Sequence, residues 1–200
     1  MNSPATIPES RLTLTAEAGA KRLPNSVLGM IIFVIAEIMF FAALMSAHAI
    51  ARSSALGGLW PPPGQPRLPV ERTAINTGVL LLSGVLLWLG NRYMSTTPKV
   101  GRRCVAGAIV SGIAFVSMQG VEWVALLREG LTQTASTYGA FFYLIVGAHA
   151  LHAVVAIVAL TWVYVLMCLG RRLPAMFAAT QIFWYFVVIV WPVIYLRVYL

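Results

Sequence analysis

Apolar residues fall into five long blocks, over residues 27–50, 74–94, 104–127, 138–169 and 173–196, separated by short polar stretches. Each block can carry a helix across the bilayer, since about 30 Å of hydrocarbon takes roughly 20 apolar residues. Lipid offers no hydrogen-bond partner to a bare peptide group, so a spanning segment must satisfy its own backbone. None of the blocks alternates polar and apolar residues with a period of two, as the strand of a membrane barrel does. The pattern predicts an all-α polytopic membrane helix bundle with five transmembrane helices. Residues 1–25, polar and carrying Pro4, Pro8 and Pro24, read as a tail, and residues 26–200 as one transmembrane domain.

Between the first two blocks, the run Trp60-Pro61-Pro62-Pro63-Gly64 dictates a non-helical loop, because consecutive prolines fix φ and remove donors. The other links, 95–103, 128–137 and 170–172, are short, so neighbouring helices are expected to run antiparallel. The early basic residues are not followed by a short apolar core with a small-residue cleavage site, so the first block is expected to remain as an anchor.

Composition agrees: 60% of residues are hydrophobic and only 10% charged, which does not describe a soluble domain of this size. The net charge of +8 comes from Lys and Arg placed mainly between the blocks. That arrangement points to membrane orientation and away from nucleic acid. Nine basic residues fall on the side of the N-terminal tail against five on the other, which puts the N-terminus inside and the C-terminus outside. Cys104 and Cys168 have no Cys or His at metal-ligand spacing and read as free packing residues.

The informative residues are the polar ones within the spans. A carboxylate near the bilayer centre costs roughly 2.5–3.5 kcal/mol on insertion scales, so it needs protein, headgroup or water beside it. Glu37 lies ten residues into the first block, about 15 Å deep at 1.5 Å per residue. His149 and His152, three apart, share one face of the fourth helix at mid-depth. A carboxyl to imidazole hydrogen bond between the first and fourth helices is the resulting expectation. Glu122 comes late in the third span, near its outer third. Two histidines on one helix face cannot supply both axial positions of a haem, and His48 lies nearer the outer surface. No nucleophile with its base, phosphate-binding loop or metal motif is present in the sequence, and the isolated ionisable groups do not form a proton path. Small residues four apart, Gly107 with Ser111 and Ala108 with Gly112, invite close approach by another helix. The last block carries Phe183, Trp184, Tyr185, Phe186, Trp191 and Tyr195. These are too many for two interfacial belts, and point to a lateral protein partner or to lipid tails.

Several segments together resemble subunit III of the haem-copper oxidases, the cytochrome c oxidase subunit 3 family. They are Ala36-Glu37-Ile38-Met39-Phe40-Phe41, the Trp60-Pro61-Pro62 loop, the helix opening Asn76-Thr77 and running to Ser83-Gly84, Gln119 to Trp123, and Gly147-Ala148-His149 with His152. Their order holds over about residues 26–199. In the last helix the family usually has His and Asp where this chain has Tyr185 and Val188. Many members also have two further N-terminal helices enclosing a lipid-filled cleft, so the resemblance is to a short five-helix form.

What the resemblance implies is a non-catalytic subunit of a terminal respiratory oxidase in the cell (inner) membrane. Such a chain is not catalytic alone but belongs to a proton-translocating oxidoreductase complex of aerobic electron transport. It would carry no cofactor or metal of its own, with haem and copper in the partner catalytic subunit I, and would contact further oxidase subunits and membrane lipids, with phospholipid bound. Glu37, Glu122, His149, His152 and Asn76 are the candidates for buried polar or lipid-contact roles, and Trp60, Pro61 and Pro62 form the loop motif. The alternatives are an accessory subunit of a related nitric-oxide reductase and, in another class, a small membrane transporter.

Overall fold

The structure, a computed structural model, describes residues 23–55, 60–134, 136–171 and 173–200; the expected polar tail lies almost wholly outside them. Among the described residues five α-helices follow in chain order: α1 (Asn25–Ser53), α2 (Val70–Met94), α3 (Pro98–Arg128), α4 (Thr137–Cys168) and α5 (Pro174–Ile194). A π-helical turn, Tyr195–Tyr199, closes the described chain, and the described residues contain no strand.

Helix ends depart from the edges of the apolar blocks. α3 starts at Pro98, six residues before its block. Proline is tolerated in the first helical turn, where its missing N–H is no loss. Lys99, Arg102 and Arg103 then continue the helix beyond the hydrocarbon, because hydropathy marks the membrane edge and not the helix end. α2 likewise begins at Val70. α4 begins where Ser136 Oγ accepts the Gly139 N–H at 3.1 Å, satisfying one of the helix's open donors. Near the end of α5, Pro192 has no N–H to give the Val188 carbonyl, and the wider π turn follows.

In its most apolar window α5 is 61% buried within the chain, against 11% for α1. α5 packs against α1, α2 and α4, and its Trp184 reaches Gly112 on α3. The aromatic row of α5 therefore faces inward: Trp184 and Trp191 are fully buried, and Phe183 and Phe186 nearly so. For these four rings this corrects the expectation of a lateral partner or lipid, since they build the chain's own core, while Tyr185 and Tyr195 stay partly exposed.

α2 and α3 form the most extensive helix pair. Their buried residues recur in steps of three and four, Thr73, Asn76, Leu80, Ser83 and Leu87 on one, Val105, Ala108, Gly112, Phe115, Gln119 and Glu122 on the other. That spacing keeps one narrow seam facing the partner helix. At Ala108 the helices come close enough for Ser83 Oγ to donate to its carbonyl at 2.9 Å. The outward faces of α1, α2, α3 and α4 carry exposed Ile32, Met39, Trp88, Val121, Leu151 and Trp162, a surface suited to lipid or another subunit and not to water.

In the α1–α2 connection, Trp60 packs edge-on against His48 and Tyr138, at ring-centroid distances of 5.6 and 5.3 Å. This ties the loop to the ends of α1 and α4. Pro61, joined to Trp60 by a cis peptide bond, and Pro62 are half-buried beside it.

Candidate functional site

Two groups of polar side chains lie within the spans. The first joins α1 to α4: His152 Nε2 lies 3.0 Å from Glu37 Oε2, and His152 Nδ1 lies 2.7 Å from its own helix's Ala148 carbonyl. The pair is mostly enclosed, with side chains 15% and 18% exposed. Of the two histidines on that face, His152 alone meets the carboxylate. His149 is instead held among the rings of Phe41, Phe115 and Trp191, at centroid distances of 6.3, 6.1 and 4.9 Å.

The second group lies along the half of the α2–α3 seam nearest the start of α2 and the end of α3. Thr73 Oγ1 donates to Glu122 Oε2 at 2.9 Å, and Gln119 Nε2 donates to the same oxygen at 3.1 Å. Gln119 also lies 3.0 Å from the Tyr199 hydroxyl, which brings the terminal turn onto the seam. Asn76 Nδ2 donates to Gln119 Oε1 and to the Phe115 carbonyl, both at 3.2 Å. The indoles of α5 extend the pattern: Trp184 Nε1 donates to Ser83 Oγ at 3.0 Å and Trp191 Nε1 to Thr77 Oγ1 at 2.9 Å. Glu122 Oε2 thus accepts from two neutral donors, and among the described residues no cation is in hydrogen-bond contact with it.

Glu37, Glu122, His152 and Asn76 accordingly make contacts between helices, whereas His149 is a packing residue. Thr73 and Tyr199 were not singled out from sequence, and Thr77, Ser83 and Gln119 entered only as parts of the segments that carry the resemblance. Small hydroxyls and amides are common in spans, and only their helical spacing along one face with Asn76 or Glu122 could have flagged them. Both cysteines are free, Cys104 half-buried and Cys168 exposed.

These residues do not fit a haem or copper centre. Both ring nitrogens of His152 are engaged, and His149 Nε2 is buried without a partner inside an aromatic enclosure. Among the described residues, no three His, Cys, Asp or Glu side chains converge to hold a metal ion. Chemically, the arrangement can lock helix positions by polar contacts, and it offers no reacting group beside a base.

Substitution offers a direct check on the α1–α4 contact. Glu37→Leu is expected to lower stability by about 0.6–1.7 kcal/mol, the range for interhelical hydrogen bonds in membranes. His152→Leu should do the same, with the double variant no worse than either single one. Reversible unfolding in mixed micelles measures all three, and additive losses would show that the two side chains do not interact.

Comparison with known proteins adds an independent finding. The family model of cytochrome c oxidase subunit III matches residues 18–200. Cytochrome c oxidase subunit 3 of Oryctolagus cuniculus is 33% identical over 184 residues, covering 86% of this chain and 67% of the rabbit protein. The proteins of the same name from Pongo abelii and Osphranter robustus are 32% and 30% identical, with the same shares of each chain covered.

Proposed function

Because this chain belongs to the cytochrome c oxidase subunit III family, and so forms part of a haem-copper oxidase, we propose that its task there is to support the catalytic subunit. In this reading the haems and copper reside in the partner subunit I, which reduces oxygen and moves protons. The chain packs beside it in the inner cell membrane, N-terminus inside and C-terminus outside, and keeps its proton and oxygen supply intact. Glu37, His152, Asn76 and Glu122 serve as internal anchors that fix the bundle's shape, so that its outward apolar faces meet subunit and lipid in one arrangement.

The observation that carries this reading is that the costly polar groups of the spans are answered mainly from within the bundle. Thr73 and Gln119 answer Glu122, and His152 answers Glu37. Such a layout supports a scaffold better than a conduit or a reaction centre. The family match likewise favours an oxidase parent over the nitric-oxide reductase and transporter alternatives.

Removing the chain from the assembled oxidase tests the proposal. Oxygen uptake should begin at a near-normal rate and then decay during turnover faster than in the intact complex, with re-addition of the chain restoring endurance. An unchanged turnover lifetime would remove the protective role. Loss of the haem spectrum from a partner that still assembles would point to a direct cofactor role instead.

A further inference from the structure

Beyond Pro192 the chain leaves α5 and winds as the π turn Tyr195–Tyr199, at the end of the bundle where α2 begins and α3 ends. Contacts from this turn and from Leu200 reach all four other helices. The Tyr195 hydroxyl donates to the Val70 carbonyl, at the start of α2, at 3.1 Å. The Tyr199 hydroxyl accepts from Gln119 Nε2 of α3 at 3.0 Å, and its ring meets Phe142 of α4 edge-on at a centroid distance of 5.8 Å. The Leu200 main-chain oxygen accepts from Arg52 of α1 at 3.5 Å.

The seam against which Tyr199 closes is sealed. Thr73 and Asn76 are wholly buried, Gln119 is 4% exposed and Glu122 9%. Yet Glu71 and Glu129, at the same end of the bundle, are exposed, so the carboxyl of Glu122 is shut away within two helical turns of a carboxyl that is open. A terminal turn that only packs is the ordinary case, and two observations point further. The first is its attachment. Pro192 withholds an N–H from the helix just before the turn begins, which weakens α5 there, and the polar ties beyond it are single hydrogen bonds, each of small net worth. The second is what it encloses. From Glu122, hydrogen bonds run through Gln119 to Asn76, whose Oδ1 is buried without a partner among the described residues. A buried acceptor left so is costly, and it gains a partner whenever water reaches it.

From this geometry we propose that residues 195–199 form a releasable cap on the polar seam. Closed, the cap shuts Glu122, Gln119 and Asn76 off from the water at that face of the membrane. Swung out about Pro192, it opens the hydrogen-bonded row from Glu122 to Asn76 to that water while the five spans stay in place. The cap is thus drawn from the weakly held part of the fold, as moving elements are. It goes beyond the supporting role proposed above and does not depend on it.

Treating the assembled complex in detergent with a water-soluble carbodiimide and an amine reads the state of the cap, because a carboxyl must meet the reagents in water to be converted to its amide. Peptide mass spectrometry follows Glu122 alongside exposed Glu129 and the enclosed Glu37. In the unaltered complex Glu122 should react at least about tenfold more slowly than Glu129, since it waits on local opening. Tyr195→Phe and Tyr199→Phe each keep the ring but remove one tie, and each should speed the modification of Glu122 by roughly tenfold, with Glu37 unchanged. Should the variants fail to assemble, hydrogen exchange on the unaltered complex decides: the amides of residues 195–199 should exchange well before those of residues 180–190. Four results would overturn the proposal: Glu122 as reactive as Glu129 in the unaltered complex, indifference to the tyrosine changes, the two segments exchanging in step, or Glu37 becoming reactive together with Glu122, which would mean that the whole bundle loosens. None of these readouts involves oxygen uptake, so a failure here leaves the supporting role to be judged by its own test.

Discussion

Replacing Trp184 with alanine is expected to destabilise the bundle by about 3 kcal/mol. That is the low end of the range for deleting a buried large aromatic, because helices in lipid gain little from hydrophobic transfer and lose mainly packing. The indole is fully buried, donates to Ser83 Oγ at 3.0 Å, and lies against Gly112, so it joins α5 to both α2 and α3. Trp184→Phe keeps most of the ring but leaves Ser83 without its donor, and should lose only about 1 kcal/mol. Unfolding in mixed micelles, followed by tryptophan-independent circular dichroism, separates these outcomes. A Trp184→Ala variant as stable as the parent would mean that α5 is not the central helix.

The mirror experiment fills the space from the other side. A Cβ at Gly112 would overlap Trp184 Cη2, lie 2.8 Å from Cζ2 and stand 3.4 Å from Ile157 Cγ1. The indole cannot swing aside without breaking its bond to Ser83, so Gly112→Leu should cost at least about 3 kcal/mol, at the upper end for overpacking, and sharply reduce the amount of assembled chain. Combined with Trp184→Ala, the leucine side chain enters the vacated space, and the joint loss should fall clearly below the sum of the two. Additive losses would contradict this contact.

How much of this was legible in the sequence differs from residue to residue. The five spans were visible because the bilayer imposes a length and denies the backbone any outside partner. Glu37 and His152 could be matched by depth alone, since two costly groups at one level of adjacent helices have reason to meet. Depth did not distinguish His152 from His149, because a difference of three positions on a helix is a matter of rotation. The inward direction of the α5 aromatics was hidden for a related reason. In a span that is apolar all round, hydrophobicity does not mark which face is buried.

Where the family usually has Asp, Val188 packs on Gly84, its Cγ1 3.0 Å from the position a Cβ there would take. A carboxylate would find no polar partner in that contact, so the valine is suited to the close α2–α5 packing. The polar seam was only half legible. Glu122 stood out by its charge, whereas Thr73 and Gln119, which answer it, look ordinary until the helices are brought together.

The central claim is that this chain is a membrane subunit that serves a redox partner without holding a redox centre. Purifying the complex through a tag on this chain, recording its haem spectrum, and then separating the subunits in detergent tests it most directly. The account predicts haem in stoichiometric amount in the intact complex, all of it following the partner on separation. Haem remaining on the separated chain, or a chain that purifies intact with no haem-bearing partner, would contradict it.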